Sequence, residues 1–224
     1  AHRGEHPRIG ALDVAPVVFL NPDARESARA QARRVAEAIA VLGVPVFLYG
    51  ELASAPERRE RAYFRRGGHV ELTRRMRRGE VAADAGPGSP HPSAGGVLVT
   101  ARPPLAAFNL ELAPGTTLDA GSQIAAGLRE AGGGPPGVRA MAIELGPGRI
   151  QISTNVHDPF AVPLAAVVEA TRALAEPLGA RPVAAEIVGL VPAAALVGWS
   201  EELPIVSGGG AAETIEARLA ATST

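Results

Sequence analysis

The 224-residue chain contains no cysteine and no lysine, which leaves few groups able to transfer protons or form covalent intermediates. A thiolate nucleophile, a disulfide frame, a Cys-ligated metal centre and a Schiff-base lysine are all excluded. Histidine remains, the one side chain whose ordinary pKa, about 6.5, lets it both take and give a proton near neutrality. There are five. His6 stands in Gly4-Glu5-His6-Pro7-Arg8-Ile9-Gly10-Ala11-Leu12-Asp13-Val14. Two carboxylates, Glu5 and Asp13, are candidates to orient its imidazole, and Asp13 is equally a candidate buried structural carboxylate. Arg8 and Arg102 each carry a guanidinium fork that can clamp a carboxylate through two hydrogen bonds. Taken alone, a histidine beside proline is more often a turn residue bonded to backbone. His91 falls in a Gly/Pro-rich loop, and His2, His69 and His157 read as isolated surface residues. No HxH or HExxH spacing occurs and Asp84 and Asp158 stand alone, so no metal site is expected.

These groups need a scaffold, and the patterning supplies one. Ala11–Leu20 is a β-branched apolar run of strand length. Asn21 caps a following helix, Pro22 takes its first position and Gly43 ends it. Ala28, Ala32, Val35, Ile39 and Leu42 recur at helical spacing and predict one buried stripe. Val44–Tyr49 is a second strand. Residues 82–96 are too rich in proline and glycine for either element. Beyond them, Leu105–Leu112 alternates as a strand and Leu118–Ala131 is helical with Thr117 as cap. Val138–Leu145 and Ile150–Val156 form a hairpin about Gly146-Pro147-Gly148, a helix spans about 163–178, and Pro182–Leu190 closes the series. On the strand 150–156, Ile150, Ile152 and Val156 face one way and Gln151, Ser153 and Asn155 the other. Asn109 likewise lies on the polar side of its strand.

The second half therefore reads β-α-β-β-α-β, the ferredoxin-like split unit. The first half supplies only strand, helix, strand, the last three elements of the same unit, with a gap expected between its two strands. The predicted fold class is α+β, an α/β sandwich of two ferredoxin-like subdomains, the first incomplete at its N-terminus. Residues 1–83 form the first, 84–95 the connecting loop and 96–224 the second.

Charge adds one asymmetry. Residues 57–80 hold nine arginines against four glutamates in a chain whose formal net charge is −1. A solvated helical face accounts for much of this through i,i+4 pairs; attraction for an acidic ligand tail is the functional alternative. Nucleic-acid binding is not expected, since only 4% of residues are aromatic and the strands lack stacking positions. No window approaches the roughly 20 apolar residues of a membrane span, and the start lacks a signal-peptide pattern, so a cytoplasmic protein is expected.

The opening motif resembles the signature of glutamate formiminotransferases, the folate enzymes of histidine breakdown. Val44–Glu51 (VPVFLYGE), Gly86-Pro87 through Gly95, Ala101-Arg102-Pro103 with Phe108-Asn109-Leu110, Gln151–Val156 (QISTNV) and Glu186–Pro192 (EIVGLVP) agree with it in order. The resemblance implies transfer of a formimino group from N-formimino-L-glutamate to N5 of tetrahydrofolate, with His6 as the catalytic acid–base. Tetrahydrofolate is then the co-substrate, no metal is required, and the partners are small molecules and a second copy in a homodimer. It further implies a ligand groove between two subdomains and a folate-binding loop of Gly86, Pro87, Gly88, Ser89, Pro90, His91, Pro92, Ser93, Ala94 and Gly95. Arg8, Asp13, Arg102, Asn109 and Asn155 are the substrate-binding candidates. The family carries a further segment ahead of the signature, so the chain is expected to be N-terminally truncated, with no or weak activity by itself. A non-catalytic folate or polyglutamate binder is the alternative. Formimino and formyl donors are not distinguished by these residues.

Overall fold

The structure, a computed structural model, describes residues 7–206 and 214–222. The chain divides after Arg102 into two compact units, Ala1–Arg102 and Pro103–Thr224.

In the first unit, strand β1 (Val14–Val18) runs into a capped turn. The Asn21 side chain accepts the Asp23 N–H, Pro22 opens a short 3-10 turn, and helix α1 (Arg25–Val41) follows. Helix α1 buries Ala28, Ala32 and Ala36, small residues that allow close approach to the strands. Leu42, expected on this stripe, is instead 73% exposed. The helix has ended by then, and Gly43 turns the chain at φ 77°. Strand β2 (Val46–Leu48) is wholly buried.

A third strand, β3 (Val97–Arg102), lies between the other two in the order β1-β3-β2. It is parallel to both, Leu98 pairing with Val14 and with Phe47. The gap expected between the first two strands is thus filled from within the chain. Five of the six β3 residues are buried, as a central parallel strand requires. This pairing also explains why the boundary falls after Arg102, whereas the sequence patterning put residues 96 onward in the second unit.

The arginine-rich segment forms two short helices, α2 (Arg61–Arg65) and α3 (Gly68–Arg77), separated at Gly67, which caps α3 at φ 70°. Phe64, Leu72 and Met76 pack with Ile9, Phe47, Tyr49 and Leu98. Arg75 is only 2% exposed. Its Nη1 donates to the Tyr63 carbonyl at 2.6 Å and its guanidinium lies 4.6 Å from the Tyr63 ring centre, so part of the arginine run is interior structure.

The second unit contains β4 (Ala106–Leu112), α4 (Leu118–Leu128), β5 (Val138–Gly146), β6 (Arg149–Val156), α5 (Leu164–Ala175), β7 (Pro182–Val188) and α6 (Ile215–Thr222). Its sheet is antiparallel in the order β5-β6-β4-β7. Thr117 caps α4 as expected, accepting the Ala120 N–H at 3.1 Å. Strand β4 alternates strictly: Ala106, Phe108, Leu110 and Leu112 are buried among Ile124, Leu128, Ile150, Ile152, Leu164 and Val167. The opposite face of the same sheet carries Asn109, Glu111, Gln151, Ser153, Asn155 and Glu186. At this level the molecule is a mixed α+β protein.

Candidate functional site

The residues that follow His6 are held against the end of the Gly/Pro loop. His6 itself, with Glu5, lies outside the described residues. The Ala11 N–H donates to the Ala94 carbonyl and the Gly96 N–H to the Ile9 carbonyl, each at 2.9 Å, and Gly10 bridges Gly95. Only glycines permit this approach. A Cβ on Gly10 would sit 2.2 Å from the Gly96 carbonyl oxygen, and one on Gly95, where φ is 73°, would sit 2.3 Å from that of Ile9.

Two aspartates brace the motif and the loop in the same way. Asp13 accepts the Ile9 N–H through Oδ1 at 2.8 Å and pairs through Oδ2 with Arg65 of α2. Asp84 accepts the Leu48 N–H at 2.8 Å and pairs with Arg58, just before α2. One carboxylate therefore closes the signature turn and the other fixes the entrance of the loop. Both their arginine partners come from the run at 57–80. Patterning alone missed this use of Arg58, Arg65 and Asp84. The available signal was the pairing of an arginine cluster with lone aspartates flanking glycine-rich segments.

Within the loop, His91 has a structural task. Its Nδ1 accepts the N–H groups of Ser93 and Ala94 at 3.3 and 3.1 Å, while its backbone exchanges two 2.9 Å hydrogen bonds with Gly95. An acceptor Nδ1 requires the proton on Nε2. Gly86 also supports a tight path, since a Cβ there would meet the Val44 carbonyl oxygen at 2.7 Å. His69, expected at the surface, has a buried Nε2, and its ring lies 3.1 Å from where a Gly95 Cβ would stand.

Arg8 is exposed and forms no ion pair with the described residues. Arg102, at the end of β3, is partly buried; burial lowers its pKa, Tyr49 opposes that shift, and the Arg61 charge adds to it. Tyr49 has its pKa raised by burial, against the pull of Arg61, Arg102 and Arg65. Arg61, Arg65 and Arg102 thus lie close enough to Tyr49 for their charges to act on it, and Arg65 is paired with Asp13.

In the second unit, the Asn109 amide donates to Glu186 Oε2 at 2.8 Å and Gln151 donates to the same oxygen at 3.4 Å. These groups line a hollow of about 190 Å³. Asn155 is exposed on the same face, paired across the sheet with Ala107 and Arg139. Gln151 and Glu186 were not singled out from the sequence as functional. A larger hollow of about 880 Å³ beside α5 and β7 is lined by none of the candidate residues. Among the described residues no three His, Asp or Glu side chains converge as a metal ion needs, and no helix is long and apolar enough to cross a membrane.

Comparison with known proteins bears on both units. The model of the formiminotransferase domain, N-terminal subdomain, matches residues 1–102, the first unit. The glutamate formimidoyltransferase of Streptococcus pyogenes serotype M1 is 35% identical over 202 residues, covering 89% of this chain and 67% of the streptococcal protein. This chain belongs to the glutamate formimidoyltransferase family. The family member from Thermoplasma acidophilum is 37% identical over 204 residues, 88% of this chain and 66% of its own. Formimidoyltransferase-cyclodeaminase of Mus musculus is 37% identical over 207 residues, 88% of this chain and 37% of the mouse protein. The chain thus spans about two thirds of the length of the first two relatives and little more than a third of the third. All three are named as transferases.

Proposed function

We propose that the protein is a glutamate formimidoyltransferase, passing the formimino group of N-formimino-L-glutamate to N5 of tetrahydrofolate, with the signature turn and the Gly86–Gly95 loop as the centre of its site. Family membership supports the reaction. The observation that carries the location is the hydrogen-bonded seam between Ile9–Ala11 and Ala94–Gly96. It fixes the residues just after His6 beside a loop rich in exposed backbone, suited to a flat, polar pterin.

The chemistry asks for one group that works twice. N5 attacks the amidine carbon, a tetrahedral intermediate forms, and the glutamate nitrogen must leave protonated. His6 takes the first proton and returns the second, help typically worth about 10²–10⁴-fold. Asp13 acts indirectly. With both oxygens engaged by Ile9 and Arg65, it holds the turn that follows His6 in the chain. Arg8 and Arg102 are the proposed carboxylate clamps of the first unit, and Asn109 and Asn155 the proposed substrate-binding residues of the second. The antiparallel strand order of the second unit supports a ferredoxin-like subdomain, whereas the parallel sheet of the first does not. A cytoplasmic homodimer is the proposed setting.

The test is direct assay. Formiminoglutamate and tetrahydrofolate should yield free glutamate and 5-formiminotetrahydrofolate. A protein that binds folate yet releases no glutamate would instead be the non-catalytic binder.

A further inference from the structure

Glu186 is a half-buried carboxylate facing a small hollow on the open side of the second unit's sheet. Alternation along β7 puts Ala185 and Ile187 in the core and leaves Glu186 on this face, level with Asn109 of β4. Both amide donors, Asn109 and Gln151, converge on one of its oxygens, Oε2. Gln151 is only 6% exposed. No described donor reaches the other oxygen, Oε1. The arginine in the same wall, Arg149, is already engaged, its Nε and Nη2 holding Glu111 at 3.2 and 3.0 Å.

Glu186, half-buried and oriented by two neutral amides, has no ion pair among the described residues and can take a cationic partner. Its surroundings specify that partner. The hollow, about 190 Å³, is below the range of about 300–1,000 Å³ that drug-sized ligands occupy, so it takes a small head group. The head group must be cationic and carry N–H donors. Arg149 Nη1, which makes no hydrogen bond to Glu111, is available for a carboxylate on the same ligand.

We infer that this hollow binds an amidinium, with Glu186 Oε1 accepting its N–H, and that Glu186 is the residue by which the protein distinguishes a formimino donor from a formyl one. The inference rests on the transferase reading above. It deepens that reading because an amidine is protonated at neutral pH whereas a formamide is neutral. A charge-assisted hydrogen bond to Glu186 is therefore open to the first donor and closed to the second. Asn109 is a positioning residue that acts through Glu186.

The test is equilibrium binding by calorimetry, which needs no turnover. N-formimino-L-glutamate and N-formyl-L-glutamate are titrated into the wild-type protein, Glu186→Gln and Asn109→Ala. The wild type should prefer the formimino compound by about tenfold or more. Glu186→Gln should bring the two affinities together, and Asn109→Ala should narrow the gap part-way, by about threefold. Circular dichroism confirms the fold of each variant, and the Asn109 variant carries the test if Glu186→Gln fails to fold. A wild type that binds neither compound, or shows no preference, overturns the inference, as does a preference that survives both substitutions. A protein that binds with the expected preference but transfers nothing leaves the inference standing and removes the transferase reading.

Discussion

The two units are held together by different means. The second is assembled around a continuous apolar core in which β4, β6 and β7 alternate residue by residue against α4 and α5. The first has short strands of three to six residues and a smaller apolar cluster, reinforced by two largely buried arginine–aspartate pairs that reach across 52 and 26 residues. Apolar packing tolerates local change because its contacts are many and non-directional. An ion pair with a backbone acceptor role depends on one side chain held in one orientation. The unit with the signature motif is thus the more specifically oriented, and the second stakes more on each large apolar side chain.

Spectroscopy can follow each unit separately, since the only tryptophan, Trp199, is in the second and both tyrosines, Tyr49 and Tyr63, are in the first. The largest effect is expected in the second unit. Phe108 is fully buried and meets Trp199 edge-on at 5.8 Å, so Phe108→Ala should cost about 3–5 kcal/mol, read as a lowered tryptophan fluorescence transition. Asp13→Asn comes next, at about 2–3 kcal/mol, because it leaves Arg65 partly buried without its counter-charge. Tyrosine absorbance should report that loss, and an unchanged tyrosine transition would refute the clamp. Gly95→Ala forces a Cβ onto the Ile9 carbonyl at φ 73°, with an expected penalty of about 1–3 kcal/mol and opening of the seam, visible as faster hydrogen exchange at Ala11 and Gly96.

The smallest effect concerns pH. Burial raises the Tyr49 pKa in the folded protein above its ordinary value of about 10. The unfolded chain loses this proton first, so the contribution of Tyr49 is fully present below about pH 10 and lost as pH rises through the folded value. Tyr49→Phe should flatten that alkaline limb of a stability-against-pH curve, while a curve identical to wild type would show that the phenol is not responsible.

What the sequence made legible follows the same division. In the second unit, period-two alternation and one-turn capping signals are local properties, and they located every strand and both large helices to within a few residues. In the first, Val97–Arg102 went unrecognised as a strand, although it is a β-branched run bounded by Gly95-Gly96 and Pro103-Pro104. Its place between β1 and β2 is a pairing across about 50 to 80 residues, which no local pattern encodes. The arginine run failed for a related reason. Its composition is that of a solvated face, and only the fold brings Arg58 to Asp84, Arg65 to Asp13 and Arg75 into the interior. Glu186 likewise became a candidate only once β7 lay beside β4.

The central claim is that proton transfer in this protein belongs to the histidine of the signature turn. Steady-state turnover of formiminoglutamate by His6→Ala tests it most directly, with circular dichroism as a control for folding. The account predicts a kcat reduced about 10²–10⁴-fold in a folded protein. A folded variant turning over at a rate comparable to wild type would contradict it.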